Sequence, residues 1–416
     1  MPLNFLGTVA VKGTSAIPYY EQLKQYGPIV ATIALTKYYF AGPNNTWERD
    51  LHGKVALVTG GTSGLGAVVA RELAFRGAQV ILLVRSAKDE WLQTFVEDMR
   101  EATGNFMIYA EECNLSDLYS IRKFCTAWLD NAPPRRLDMV VCCAGVAIPP
   151  GSLRQASLDG IEQHLAINYL AHYHLLTMLS PGLRVQPPDR DVRVILTSCV
   201  STVMGDLDVD DLEFEKRGYP KYAVWKVQGA AKLAQAMFAY EFQRQLNAYE
   251  RPDKAENNVH VTLVDPGMMR SPSFKRFTSL GSVWGLLLYL ILWPIWWLFL
   301  KTSINGAQSM LYAIMSPELT AEKDVTYISD CRIRKAPPRY EFSDQELQKK
   351  LFEVTEKLVL DTEKQSVIAK KRKEQLEKGN EKESRPASAP KTTSANAAGK
   401  NSSAKKPSRR GTKKKA

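Results

Sequence analysis

Residues 55–66 read Val-Ala-Leu-Val-Thr-Gly-Gly-Thr-Ser-Gly-Leu-Gly, and helix-forming residues fill 67–76. A β-branched and aliphatic run that breaks into glycines at 60, 64 and 66 predicts a strand, a loop and a helix in succession. Such a turn lets backbone N–H groups approach a pyrophosphate, and the helix N-terminus adds the positive end of its dipole. The spacing is T-G-x-x-x-G-x-G, which makes Thr59, Gly60, Thr62, Ser63, Gly64, Leu65 and Gly66 candidates for holding a phosphate-bearing cofactor. Glycine-rich turns also cap ordinary helices, so the surrounding chain has to decide.

Outward from this loop, short apolar runs alternate with amphipathic stretches. The runs are 54–59, 79–84, 106–112, 138–143, 192–198 and 259–265. Their alternation predicts an α/β fold, a single doubly wound parallel sheet of about seven strands covered by helices on both faces, over 51–335. Residues 1–50 form a lead-in whose apolar patch, 29–35, is too short to span a bilayer and is expected to pack on the main domain. Residues 336–378 read as a charged helical extension, helical from 343. From 379 to 416 the chain is Ser/Ala/Pro/Lys-rich and reads as a disordered basic tail.

With 416 residues at 45% hydrophobic composition there is material for a large core. The net charge of +11 is mostly a property of the tail, since 381–416 alone carries eleven Lys/Arg against two Glu. That tail lacks interleaved aromatic residues, so no nucleic-acid partner is expected, and adhesion to an anionic membrane suits it better. The cysteines at 113, 125, 142, 143, 199 and 331 show neither metal-ligand nor disulfide-framework spacing, and no metal is expected. The N-terminus lacks a basic segment followed by a continuous apolar one, so reduced thiols facing cytosol are the default.

Tyr222-Ala-Val-Trp-Lys226 places a tyrosine and a lysine at i and i+4, on one face of a helix running towards Leu246. A nearby ammonium lowers a tyrosine's pKa and makes it a usable proton donor and acceptor. The same spacing occurs at Tyr20–Lys24 and Tyr119–Lys123, so it is not specific by itself. Only Tyr222 follows the fifth strand, near the switch point where such sheets bind ligands.

Together these features resemble the short-chain dehydrogenase/reductase family, in its retinol-dehydrogenase-like branch, over about residues 51–335. Over 30–350, with the lead-in 37–44, the resemblance is nearest to fungal lipid-droplet or vacuolar-membrane oxidoreductases. It implies a Rossmann-type domain and an NAD(P)-dependent conversion between CH–OH and C=O. By position it makes Ser198 the serine that holds the substrate carbonyl, Tyr222 the general acid/base, and Lys226 the lysine that also binds the nicotinamide ribose. Asn168 becomes the asparagine of a proton relay, and Pro266-Gly267 the turn beside the nicotinamide. Thr59, Gly60, Gly64 and Gly66 become the cofactor loop.

Two departures stand out. Where the family has Asn-Asn-Ala-Gly after the fourth strand, this chain has Cys142-Cys143-Ala144-Gly145, which loses an asparagine that braces the central strands. Asn114 stands where an adenine-contacting aspartate is usual. Weaker bracing is expected, with Asn114, Cys143, Ala144 and Gly145 still lining the cofactor, and with both cysteines acting as small buried hydrophobes. The second strand ends Val84-Arg85, with no acid to take a ribose 2′-hydroxyl and a guanidinium suited to a 2′-phosphate, so the expected cofactor is NADP(H).

Residues 280–300 form 21 positions without a charge, with Trp284, Tyr289, Trp293, Trp296 and Trp297 among them. By length they could span a membrane, but Gly267 upstream and the helix at 301–308 downstream belong to one domain. Pro294 should break the run into limbs of about 13 and 7 residues. A monotopic hairpin or tilted interfacial helix follows, tryptophans at headgroup depth, on the cytosolic face of endoplasmic reticulum, lipid droplet or vacuole. It lies where the family has its substrate lid, so a lipophilic substrate is expected, of retinoid, sterol or fatty-aldehyde type. The resemblance further implies a part in lipid-droplet or vacuole upkeep. A homodimer is compatible with the chain. His172 and His174 are expected in packing, not on a metal. The rival reading is a non-catalytic membrane adaptor that keeps the fold.

Overall fold

The six apolar runs become the strands β1 (Val55–Thr59), β2 (Gln79–Val84), β3 (Ile108–Glu112), β4 (Met139–Cys142), β5 (Val192–Thr197) and β6 (Val259–Asp265), paired in parallel. This computed structural model describes residue 11 and residues 19–383; nearly all of the basic tail lies outside the described residues. The chain divides into a unit of residues 1–366 and one of 367–416, and the sheet and the site lie in the first.

Two further strands were not anticipated individually. β7 (Thr326–Ser329) pairs in parallel with β6, and β8 (Arg332–Arg334) runs antiparallel to β7, giving eight strands in the order β3-β2-β1-β4-β5-β6-β7-β8. The hairpin between them turns on Asp330 and Cys331, both at positive φ (51° and 53°), as a two-residue hairpin loop requires. Neither is a glycine, and β8 is an exposed Arg-Ile-Arg, so composition gave no signal for either.

The helices are α1 (Tyr20–Ala41), ahead of the sheet, then α2 (Gly64–Phe75), α3 (Glu90–Thr103), α4 (Leu118–Leu129), α5 (Ala171–Arg184) and α6 (Val224–Ala248). After β6 come α7 (Pro272–Thr278), α8 (Val283–Ile291), α9 (Trp293–Phe299) and α10 (Ser303–Met315), and α11 (Gln345–Glu383) follows β8. β1 and β5 are buried along their whole length, as strands covered on both faces must be. One core lies between the sheet and α4, α5 and α6, where Phe238, Tyr169 and Leu179 sit; the other joins α2, α3 and α10 to the opposite face through Leu73, Leu82 and Ile314. Burying each such side chain contributes about 1.5–3 kcal/mol. The strand order reverses beside β1, so the C-terminal ends of β1 and β4 flank the crevice where open α/β sheets bind ligands.

The apolar insertion forms two helices, α8 and α9, that meet at Leu292, with Pro294 in the first turn of α9 where a missing N–H costs nothing. Among the described residues no helix is long and apolar enough to cross a membrane. The whole excursion closes at its base: Arg270 N–H donates to Lys301 O (3.0 Å) and Lys301 N–H to Met268 O (3.1 Å). Trp296 is half-buried; it stacks on Tyr289 at 6.3 Å and meets Phe274 edge-on at 5.5 Å, pinning the three helices. α1 lies along α9, where Lys37 Nζ donates to Trp297 O (2.6 Å) and Phe40 meets Phe299 at 5.1 Å. The lead-in thus packs on the insertion, but leaves Ile29, Val30, Leu35 and Tyr38 exposed.

Candidate active site

The glycine loop is tight for a measurable reason. A Cβ on Gly66 would lie 2.3 Å from Gly60 O, and one on Gly60 would lie 2.8 Å from Ala144 Cα. Gly60 and Gly64 also take positive φ, 65° and 55°. The loop therefore packs backbone to backbone against the segment after β4. Ser63, in extended conformation, hands over to α2, whose first amides have no intrahelical acceptor. Thr62, Ser63, Gly64 and Leu65 lie in this turn, and Arg85 is exposed just beyond β2, the strand paired with β1. Leu82 backs the loop, since a Cβ on Gly61 would meet its Cδ2 at 2.7 Å. Arg270 Nε is buried with no partner, two residues before Pro272, which touches the Gly64 position. Orphan amides and a loop that no Cβ can enter fit the phosphates of a dinucleotide.

Thr59 is fully buried and does not line this surface. Its hydroxyl accepts from Ala144 N–H (3.1 Å) and bonds His172 Nε2 (3.1 Å). This is the brace between central strands that the missing asparagine had seemed to remove. Cys142 is buried and Cys143 packs against Gly66; burial pushes the Cys143 thiol up to about 12, so it stays protonated. Asn114 Oδ1 accepts from Ser116 N–H (3.1 Å), shaping the loop after β3. Gly267 has φ 77°, and its N–H donates to Asp265 Oδ1 (2.9 Å), which fixes the Pro266-Gly267 turn at the end of β6.

Asn168 sits within a π-helical turn, Ala166–Leu170, and its amide is committed at both ends to Val146: Oδ1 accepts at 2.7 Å and Nδ2 donates at 3.0 Å. It pins the segment after Gly145, whose Cβ would lie 3.3 Å from that Oδ1. Ser198, at the end of β5, is buried with its hydroxyl 3.4 Å from that of Thr202.

Among the described residues neither the Tyr222 hydroxyl nor the Lys226 ammonium forms a hydrogen bond with these groups. Helix α6 begins at Val224, so Tyr222 lies in the turn before it, 71% exposed, and Lys226 is exposed on its first turn. The lysine that does reach the end of β5 is Lys232. Its Nζ donates to Thr197 O (2.7 Å) and Gln235 Oε1 (2.9 Å), and the residue is buried. Gln235 Nε2 then donates to His172 Nδ1 (3.1 Å). Because the ammonium takes Gln235 Oε1, the amide must present its NH2 to His172, which leaves the imidazole proton on Nε2, facing Thr59. Burial, with the Lys232 charge second, lowers the His172 pKa to about 3 and keeps it neutral. One polar chain, Lys232–Gln235–His172–Thr59, thus links α6 to β1 beneath the glycine loop. Spacing alone favoured Tyr222–Lys226. The overlooked signal is that Lys232 is the one charge in 227–240, an otherwise apolar and amide-bearing stretch.

Comparison with known proteins bears on this geometry. The profile of the short chain dehydrogenase family matches residues 54–207. "Uncharacterized oxidoreductase YNL181W" of Saccharomyces cerevisiae is 46% identical, covering 89% of this chain and 95% of its own. "Uncharacterized oxidoreductase pbr1" of Schizosaccharomyces pombe is 42% identical, over 88% and 97%. Human retinol dehydrogenase 12 is 31% identical, over 72% and 85%. A crystal structure of a putative uncharacterized protein from Mycobacterium paratuberculosis, 23% identical, covers 74% of this chain and 94% of its own with a TM-score of 0.52, a likeness of fold.

Proposed function

The chain belongs to the short-chain dehydrogenase/reductase family, an oxidoreductase family that uses a nicotinamide cofactor, and we propose that it works with NADP(H) on a lipophilic alcohol–carbonyl pair at a membrane surface. The observation that carries this reading is where the apolar excursion is rooted. Its first helix abuts the glycine loop at Pro272, its base clamps the segment after Gly267, and Gly281 lies against Pro149 in the segment after β4. An apolar lobe hung on the rim of the cofactor site would draw its substrate from the surface that the lobe enters.

The surface chemistry supports membrane contact. Val283 and Trp284 are 82% and 81% exposed, and Leu288, Leu290 and Ile291 are more than half exposed. Ile29, Val30, Leu35 and Tyr38 of α1 extend the same apolar surface, and Lys275 and Arg276 flank it. Patches of this kind on a soluble protein mark partner or membrane sites. The cytosolic face of endoplasmic reticulum or lipid droplet, or the vacuolar membrane, is the proposed place. The name of the human relative, retinol dehydrogenase 12, supports a substrate of retinoid-like hydrophobicity.

Within the site, NADP(H) supplies hydride when bound. The glycine loop and α2 would hold the pyrophosphate, Arg85 the 2′-phosphate, and the Pro266-Gly267 turn the nicotinamide end. The test is sedimentation with vesicles containing anionic lipid, together with NADPH oxidation in the presence of all-trans-retinal or decanal. Binding to vesicles and reduction of either aldehyde are expected; protein that stays in the supernatant and reduces neither would contradict the reading. One observation favours a second reading, a membrane adaptor that keeps the fold: Tyr222 and Lys226 are both exposed and bond none of the site groups. An adaptor would bind vesicles and show no turnover of any aldehyde or alcohol.

A further inference from the structure

Lys232 is a buried cation without a carboxylate. Among the described residues it forms no ion pair, and the ionisable groups it interacts with are the thiols of Cys199, Cys142 and Cys143 and the His172 imidazole. Taking an ammonium out of water is costly unless several oxygens receive it. Here Thr197 O and Gln235 Oε1 receive it well, at 2.7 and 2.9 Å, while Thr197 Oγ1 is a long third at 3.4 Å. The ammonium is held at the C-terminal end of β5 with room in its hydrogen-bonding for a further oxygen.

One turn earlier on the same face of α6 stands Gln228, half-buried, with its amide bonded to none of the described residues. The backbone places it opposite the segment after β5. A Cβ on the adjacent Gly229 would lie 2.3 Å from Ser201 O, and one on Gly205 would lie 2.5 Å from Gly229 C. The helix at 228–229 is therefore in backbone contact with the loop that carries Ser198 and Cys199. Lys226 lies six residues before Lys232, which on a helix is about 9 Å along the axis and about 120° round it. No rotamer brings both lysines to one point, and the inward one is Lys232.

We propose that the reacting face of α6 is formed by Gln228 and Lys232, with the Gln228 amide donating to the substrate oxygen, and that Tyr222 and Lys226 lie outside the reaction. This rests on the NADP(H) reading above. Lys232 stands where it can bind the nicotinamide ribose, anchored from behind by Thr197 and by the Gln235–His172–Thr59 chain. Gln228 stands where a tyrosine–lysine pair registered on Lys232 would place the tyrosine. The difference has a chemical consequence: an amide N–H polarises a carbonyl but does not surrender a proton near neutral pH. The chain can therefore bind and orient a carbonyl substrate while leaving its protonation to water.

The test uses the full chain, with NADPH binding read by nucleotide fluorescence, decanal reduction in detergent micelles read by NADPH oxidation, and folding read by thermal melts. Tyr222→Phe and Lys226→Met are expected to stay within twofold of wild type in both binding and turnover. Lys232→Met is expected to weaken NADPH binding at least tenfold. Gln228→Tyr, which completes a tyrosine–lysine pair on the inward face, is expected to raise decanal reduction at least tenfold at unchanged NADPH affinity. A tenfold loss of turnover in Tyr222→Phe with NADPH still bound overturns the proposal. So does a folded Lys232→Met that binds NADPH like wild type, or a folded Gln228→Tyr that binds NADPH and is no faster. If Lys232→Met fails to fold, the other three variants decide. Wild-type protein that does not bind NADPH overturns the reading beneath the proposal, and is recognised because no variant is needed to see it.

Discussion

At the scale of single residues, the site is a set of positions where one atom more would not fit or one proton more would be costly. Gly66→Ala puts a methyl 2.3 Å from Gly60 O, so the loop must shift; a loss of about 1–3 kcal/mol in stability, with NADPH affinity down at least tenfold, is expected by melts and titration. His172 is the titratable point. Its folded pKa of about 3 lies below the usual ~6.5, so the fold favours the neutral ring and the unfolded chain binds the extra proton at mild acidity. The contribution is complete above pH 6.5 and is lost as pH falls from there towards 3. Urea unfolding at pH 7 and pH 5 should show a drop in wild type that is smaller in His172→Gln; equal drops would remove His172 from the account. The glycine loop, Asn168 and the Pro266-Gly267 turn were legible because backbone constraints leave a mark in residue type. The inward lysine was not. A Y-x-x-x-K spacing fixes which residues share a face and says nothing about which face turns inward. Tyr222 is proposed to lie outside the reaction because the helix starts two residues after it, at Val224, a boundary that the residues 219–224 do not mark.

At the scale of elements, six strands were visible as apolar runs because strands covered on both faces cannot afford polar residues. β7 and β8 were not, being four and three residues long at the open edge, where exposure relaxes the pattern. The apolar insertion was legible in composition and in its break, though the break falls at Leu292 and the first helix starts at Val283, so that residues 280–282 serve as a turn. The apolar residues of α1 are spread over 26–40 without the density of a span, yet α1 lies along α9 and leaves Ile29, Val30, Leu35 and Tyr38 exposed. The double variant Trp284→Glu/Ile291→Glu changes only exposed positions. It is expected to melt within about 1 kcal/mol of wild type and to lose at least tenfold in sedimentation with anionic vesicles. Unchanged sedimentation would assign the membrane contact to another part of the chain.

At the scale of the molecule, the chain joins an oxidoreductase fold to two additions. The excursion and α1 sit on the rim of the cofactor crevice. The segment after β8 packs back on the domain: Arg339 donates to Val203 O (2.9 Å) and Gly205 O (2.8 Å) in the loop after β5, and Tyr169 bonds Thr355 at 2.7 Å. Glu363, against Arg122 at 2.5 Å and His174 at 3.2 Å, is held down to about 2: burial works upward, and the hydrogen bonds from His174 and Arg122 outweigh it. The sheet's helical face is thus covered by the chain itself, and the loop that carries Ser198 and Cys199 is held from outside by Arg339. The proposed cofactor is a phosphate-bearing nicotinamide held by the glycine loop and Arg85. The direct measurement is a fluorescence titration of the full chain with NADPH and with NADH, repeated on Arg85→Asp. Hydrogen bonds to a charged phosphate contribute about 1.5–3 kcal/mol, so NADPH should bind at least tenfold tighter than NADH, and Arg85→Asp should abolish or reverse that preference. Equal affinity for the two in wild type, or no binding of either, would contradict the account.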